Sequence, residues 1–273
     1  MASDGEPGGR TARHRRMDQA FEPSFRSESL QDLILSHMKA IILVGGVGAR
    51  LRPLTFAVPK PLLAVGDKPI LQLIIERLSH AGCDEILLAT GYLAELIETF
   101  CGDGARFGIK IRYTRETDPL GTAGPLSLFR DHVGRDEFFI LMNGDIITQL
   151  NFADIVSFGQ QHDYDLTVGY VERAYKSPYG VLTIDHNNEI LDIREKPEVR
   201  QLVSSGIYVV KGSALDYVPD NTYFTVPDLI GKLRACNRRI GAYHIKEYWL
   251  GIEHLDHIEQ VRMVMNGVLP EVS

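Results

Sequence analysis

The chain has 273 residues, of which 44% are hydrophobic and 24% charged, and a formal net charge of −7 at neutral pH. These are the proportions of a soluble globular protein, and the negative balance argues against nucleic acid as a general partner. No apolar run approaches the ~18–20 residues of a membrane span, so no membrane is expected. Three cysteines (Cys83, Cys101, Cys236) with no C-x-x-C pair suit a reducing, cytoplasmic compartment and buried or inert thiols.

Residues 1–37 read as an N-terminal extension, disordered to about residue 27. It carries Gly, Pro, Ser and a basic cluster (Arg10, Arg13, His14, Arg15, Arg16), and no hydrophobic core follows Arg15-Arg16 as an export signal would require. Ser29 to His37 can form a short amphipathic helix through Leu30, Leu33 and Ile34. Residues 38–273 then read as one domain. Ala40 to Val44 is an unbroken apolar run of the kind that a strand buried on both faces requires. It stops at Gly45-Gly46 and Gly48, where the backbone can turn sharply and bring N–H groups against an anion. Arg50, Arg52 and Lys60 follow closely, and Pro53, Pro59, Pro61 and Pro69 stiffen the connection. A strand, a glycine turn and a set of cations make a phosphate site.

Ile70 to Ala81 has helical spacing (Ile70, Leu71, Ile74, Ile75, Leu78) and ends at Gly82. Ile86–Thr90 and Ile109–Thr114 read as strands, with a helix over Leu93–Phe100 between them. This rhythm predicts a Rossmann-like α/β fold: a mostly parallel mixed sheet flanked by helices, with ligands at the carboxyl ends of the strands. Asp118 to Gly124 is a loop followed by a helix. Phe138–Met142 is a further buried strand, ending at Asn143-Gly144-Asp145, where a carboxylate is a natural ligand for a hard cation beside a triphosphate. The second half reads as short strands, Asp165–Tyr170, Gly180–Ile184, Ile190–Arg194 and Gly206–Val210, with turns at Ser177-Pro178 and Asn187-Asn188. A helix over Asp228–Ala235, a strand over Ile240–Ile245 and a helix over Leu255–Asn266 complete the chain. His254 and His257 lack a third defined ligand and read as a surface face.

The glycine turn is not a Walker A loop, since no Gly-Lys-Ser/Thr follows. It also lacks the third glycine of the dinucleotide fingerprint, which disfavours an NAD-binding oxidoreductase. Instead, Gly45 through Thr55 (GGVGARLRPLT), Pro59-Lys60-Pro61-Leu62 and Gly66-Asp67-Lys68-Pro69-Ile70 together resemble the signature of the sugar-1-phosphate nucleotidylyltransferases. The PLGTAG segment, Pro119 to Gly124, is most similar to the mannose-1-phosphate guanylyltransferase-like branch.

The resemblance covers nearly everything from Met38 onward, and it implies the following. The substrates are an NTP, GTP in preference, and a sugar or cyclitol phosphate; the products are an NDP-sugar and pyrophosphate. Arg50, Lys60 and Asp145 are the catalytic set, with Mg²⁺ on Asp145. Gly45, Gly46, Gly48, Gly121 and Thr122 bind the nucleotide, and Gly180, Glu195, Lys196, Ser205 and Gly206 line the sugar side. Homo-oligomerisation is left open, as are thymidylyl, uridylyl or adenylyl transfer. Neither the length nor the hexapeptide repeats for a C-terminal β-helix are present.

Two departures matter. Ala49 replaces the usual hydroxyl residue of the turn. Gly251, in Trp249-Leu250-Gly251-Ile252-Glu253, stands where the family's second metal aspartate belongs. Either Asp145 holds the metal with waters and phosphates, or Glu253 substitutes, or the chain is a catalytically silent, nucleotide-binding regulatory subunit. A left-handed backbone at 251 would oppose an aspartate introduced there.

Overall fold

The computed structural model describes residues 38–265, so the expected tail and Asn266 lie outside the described residues. In chain order the first strands are β1 (Met38–Leu43), β2 (Ala64–Val65), β3 (Lys68–Pro69), β4 (Cys83–Thr90), β5 (Lys110–Arg115) and β6 (Phe138–Asn143). There follow β7 (Ile146–Thr148), β8 (Leu166–Lys176), β9 (Val181–Ile184), β10 (Ile190–Arg194), β11 (Glu198–Lys211), β12 (Ile240–His244) and β13 (Trp249–Gly251). The α-helices are α1 (Ile70–His80), α2 (Ala94–Cys101), α3 (Phe152–Gln161), α4 (Val226–Ala235) and α5 (Leu255–Met265).

Seven strands form one sheet in the order β12-β8-β11-β6-β1-β4-β5. All run the same way except β11, which is antiparallel to both β6 and β8. The apolar runs read from the sequence are unbroken because the sheet is covered on both faces. In β1, Ala40 and Ile42 enter one core while Ile41 enters the other, and β4 and β6 divide their residues in the same alternating way. Helices α1 and α3 contribute to the first core, and α4 to the second. Helix α1 starts and stops within a residue of expectation, with Gly82 just beyond it at φ +88°.

Three differences from the sequence reading stand out. The segment after the PLGTAG loop is a 3₁₀ stretch, Gly124–His132, in place of the ordinary helix expected there. Leu126 and Phe129 are both fully buried, and their three-residue spacing stacks them on one side of a three-residue turn. The short strands β7 and β13, which pair Ile146 with Gly251 and Thr148 with Trp249, have no signal in the sequence. Finally, β8 and β11 are much longer than expected. They pair from Leu166–Val210 out to Lys176–Glu198 and continue, past a joint where Ser177 N–H donates to Pro197 O, into the β9–β10 hairpin. Between Val171 and Ser205 no residue is buried, so this two-stranded arm has no core of its own.

Candidate active site

From β1 the chain crosses to β4 and β5 on one side, then returns to place β6 on the other side of β1. Such a reversal opens a crevice at the carboxyl ends of the strands. A cleft of about 670 Å³, within the usual ~300–1,000 Å³ range of ligand sites, lies there. It is lined by the ends of β1 and β6 and by the loops that follow β1, β4, β5 and β6.

Two glycines of the β1 turn are required by the chain's own packing. A Cβ on Gly45 would stand 3.0 Å from Glu116 Oε1 and 3.4 Å from Gly91 N. Gly48 has φ +60°, and a Cβ there would lie 3.0 Å from the Thr55 methyl and 3.1 Å from Lys60 Cβ. The Thr55 hydroxyl donates to Gly48 O at 2.9 Å and closes the turn. Gly46 differs. No atom lies within 4 Å of where its Cβ would be. It lines the open cleft, and the packing of the fold does not demand a glycine there.

Short 3₁₀ turns at Ala49–Leu51, Leu54–Phe56 and Lys60–Leu62 fold the proline-rich stretch back over the crevice. The last of them brings the Lys60 ammonium onto the Asp145 carboxylate, at the end of β6. Gly144, just before, donates its N–H to Leu43 O at 2.9 Å, and a Cβ there would be 2.5 Å from Val44 Cγ1. The Asn-Gly-Asp sequence is thus held against β1 by a backbone approach that only glycine permits.

The PLGTAG loop is fastened to a segment a hundred residues away. Ala123 and Gly124 donate N–H to Phe224 O, Phe224 N–H donates to Leu120 O, and Thr122 Oγ1 accepts from Val226 N–H at 2.9 Å, at the start of α4. At Gly121, with φ +80°, a Cβ would meet Phe224 O at 2.7 Å. The Gly121 conformation and the Thr122 hydroxyl therefore serve this clamp, while both residues still line the cleft. Glu116 receives Leu120 N–H at 2.8 Å. Its burial lifts the carboxyl above the usual range, and the Leu120 bond opposes that in part.

The cleft brings together Gly45, Gly46, Gly48, Lys60, Gly121, Thr122 and Asp145. Arg50 is not in its lining. Its exposed guanidinium pairs with Glu253 at 2.7 Å, so the carboxylate considered as a substitute metal ligand is engaged by a cation. Gly180, Glu195, Lys196, Ser205 and Gly206 are also outside the lining. Gly180 and Glu195 adjoin each other at the joint of the arm, and Lys196 there has φ +45°. The Ser205 hydroxyl is buried and donates to Gly169 O at 2.8 Å. Gly206, at φ +71°, backs directly onto Asn143, whose Nδ2 would be 2.6 Å from a Cβ.

Gly251 is not left-handed, so no such backbone would oppose an aspartate there, and no atom approaches its Cβ position closer than Trp249 at 3.8 Å. It pairs with Ile146, and Ile252 N–H donates to Asp145 O at 2.9 Å. The 251–252 backbone therefore abuts Asp145. Sequence reasoning missed Tyr92, Glu116 and Tyr223 in the cleft. No local pattern marks any of them, since each is positioned by contacts distant in the chain.

A reversed parallel α/β sheet with a glycine turn and a lysine–aspartate pair in the crevice is the architecture of a nucleotide-handling protein. Residues 39–261 match the family model described as nucleotidyl transferase, and the chain belongs to that family. It is 36% identical over 237 residues to the mannose-1-phosphate guanylyltransferase catalytic subunit beta of Dictyostelium discoideum, covering 85% of this chain and 66% of that protein. It is 34% identical over 221 residues to the mannose-1-phosphate guanyltransferase of Schizosaccharomyces pombe, covering 79% of this chain and 61% of that one. The chain thus spans just under two thirds of the length of these relatives. Among solved structures, HddC from Yersinia pseudotuberculosis is similar with a TM-score of 0.66 and 25% identity, over 84% of this chain and 99% of that one. Among the described residues, no helix is long and apolar enough to cross a membrane.

Proposed function

We propose that the chain transfers a nucleoside monophosphate from a nucleoside triphosphate to a sugar 1-phosphate or cyclitol phosphate, giving an NDP-sugar and pyrophosphate, with GTP the preferred donor. The observation that carries this reading is the meeting of the Gly45–Gly48 turn and the Lys60–Asp145 pair in one nucleotide-sized cleft. The guanylyltransferase relatives support the choice of base.

A phosphate monoester has its second pKa near ~6, so the attacking oxygen is already anionic at neutral pH and needs no protein base. That oxygen bonds to the α-phosphorus, the bridging α–β P–O bond breaks, and its electron pair leaves with pyrophosphate. The barrier is the approach of two anions, which cations and in-line positioning lower. Lys60, against the glycine turn, would take the α-phosphate charge. Arg50 would receive the leaving pyrophosphate in exchange for Glu253. An exposed pair of that kind is worth only ~0–1 kcal/mol, so the exchange is inexpensive. Glu195 and Lys196 would serve sugar hydroxyls and sugar phosphate, which requires the arm to bend toward the cleft.

Mg²⁺ commonly binds through one or two carboxylates plus substrate phosphates. Among the described residues no cluster of three or more His, Cys, Asp or Glu could hold a metal. The partly exposed Asp145 carboxylate in the cleft fits the one-carboxylate mode. When bound, the ion would neutralise phosphate charge.

Gly251 beside Asp145 keeps a second reading in view, a regulatory subunit that binds nucleotide without turning it over. Pyrophosphate release over a panel of NTPs and sugar 1-phosphates tests both. Turnover with GTP above other NTPs is expected. Turnover preferring UTP or TTP would overturn the base assignment, and nucleotide binding without turnover of any pair would establish the regulatory reading.

A further inference from the structure

Among the described residues, the arginines that are partly buried are Arg130 and Arg173. Arg130 donates to the carbonyls of Leu215 and Val218 and pairs with Asp220. Arg173 makes no hydrogen bond or ion pair among the described residues. Its guanidinium lies over the Trp249 indole, 5.0 Å from the ring centroid. A cation–π contact engages the charge but none of the five N–H donors. The Tyr248 hydroxyl is covered and has no partner either; burial raises its pKa, and the Arg173 charge opposes that rise. The place of Arg173 is as telling as its lack of partners. It pairs with Gln201 at the near end of the arm. Toward the sheet lie Ser205, whose carbonyl receives Trp249 Nε1–H at 2.9 Å, and Gly206, which backs onto Asn143 of the cleft. Away from the sheet lies the joint with Gly180, Glu195 and Lys196. The far border of the indole, Cη2, stands 3.8 Å from the Cβ position of Gly251, which pairs with the residue after Asp145.

We infer that Arg173 selects an acidic acceptor: it receives a second oxyanion, a carboxylate or a further phosphate, that the sugar 1-phosphate carries beside the phosphate that reacts. This rests on the transferase reading above. Arg173 stands between the cleft and the arm residues assigned to the acceptor, so an acceptor that spans the two passes it. Lys60 and Lys196 already answer the phosphates of the reaction, and a neutral sugar would leave the Arg173 donors idle. A planar guanidinium half out of water is suited to a two-oxygen acceptor, which takes two parallel N–H bonds at once. Gly251 works in the same direction. It leaves the other border of the Trp249 indole without a carboxylate that would repel an incoming anion.

Initial rates of the full chain with its preferred NTP and Mg²⁺ test this against glucose 1-phosphate, glucuronic acid 1-phosphate and glucose 1,6-bisphosphate. The KM of at least one acidic acceptor should lie about 10–100-fold below that of glucose 1-phosphate, the range of one charge-assisted pair. Whichever acidic compound shows the drop identifies the anion as carboxylate or phosphate. Arg173→Leu, which keeps an apolar contact with Trp249, should bring the ratio of neutral to acidic KM to about one, and Arg173→Lys should restore part of it. Equal KM values for neutral and acidic acceptors in wild type would overturn the inference, whether or not the variants fold. So would a raised KM for every acceptor in Arg173→Leu with the ratio kept, which would give Arg173 to the reacting phosphate instead. Melting temperature with the same compounds separates this inference from the transferase reading. A larger rise with an acidic compound than with glucose 1-phosphate, lost in Arg173→Leu, would uphold the anion site even if no substrate pair were turned over. Equal rises with all three compounds would overturn it.

Discussion

Replacing Gly206 by alanine separates two costs that glycines meet in this fold. At φ +71° the new side chain incurs the left-handed penalty, about 1–2 kcal/mol for an L-residue. Its Cβ would also stand 2.6 Å from Asn143 Nδ2 and 2.7 Å from Ile146 Cδ1, and overpacking of that kind adds about 1–3 kcal/mol. Gly66 isolates the first cost. Its φ is +68°, and nothing lies within 4 Å of its Cβ position. The expected losses are therefore about 2–5 kcal/mol for Gly206→Ala and about 1–2 kcal/mol for Gly66→Ala. At about 2–4 °C of Tm per kcal/mol for a domain of this size, Gly206→Ala should melt roughly 2–12 °C below Gly66→Ala. Thermal unfolding by circular dichroism, read at equal concentration, measures the difference. Asn143 lines the cleft, so Gly206→Ala should also weaken nucleotide binding, while Gly66→Ala leaves it unchanged. Equal melting temperatures for the two variants would refute the packing argument and return Gly206 to a purely conformational role.

Arg50→Ala should lower kcat about 10²–10³-fold, the usual loss for one charge-stabilising contact, with little change in Tm because its pairing with Glu253 is exposed. Near-normal turnover would remove Arg50 from the reaction. Gly251→Asp should lower the Mg²⁺ concentration for half-maximal rate roughly tenfold by adding a carboxylate, since neither backbone strain nor a close neighbour opposes the side chain. The Tm rise produced by Mg²⁺ with nucleotide should grow in the same variant, and no change in either quantity would refute the one-carboxylate account. At Glu116 the folded chain retains its proton to higher pH than the unfolded chain does. Its contribution to stability is therefore full below the unfolded value near ~4.3 and is lost as pH rises through the raised folded value. The Tm of Glu116→Gln minus that of wild type should increase from about pH 4 to about pH 7, and a pH-independent difference would contradict the assignment.

Much of the cleft's lining was legible because it is local. The β1 run, the glycine turn, Lys60 and the Asn143-Gly144-Asp145 stop are short patterns whose physical meaning does not depend on distant residues. The parallel sheet followed from alternating helical and continuous apolar segments, since burial on both faces leaves a run without polar interruptions. The arm was the reverse case. Its pieces read as separate short strands because pairing of β8 with β11, well apart in sequence, leaves no periodic mark on either one.

Sequence alone determined the class of fold, the family and many of the residues that line the cleft, because close backbone approach, charge and two-faced burial each demand particular residue types in order. Only the tertiary structure decided what those residues do for one another. It showed that Gly121 and Thr122 clamp the loop to Phe224 and Val226, that Ser205 spends its hydroxyl inside the chain, that Arg50 is held by Glu253, and that Gly251 abuts Asp145. Each of these is a contact between segments remote in sequence. Its geometry follows from how the strands are ordered in the sheet, which no window of neighbouring residues encodes.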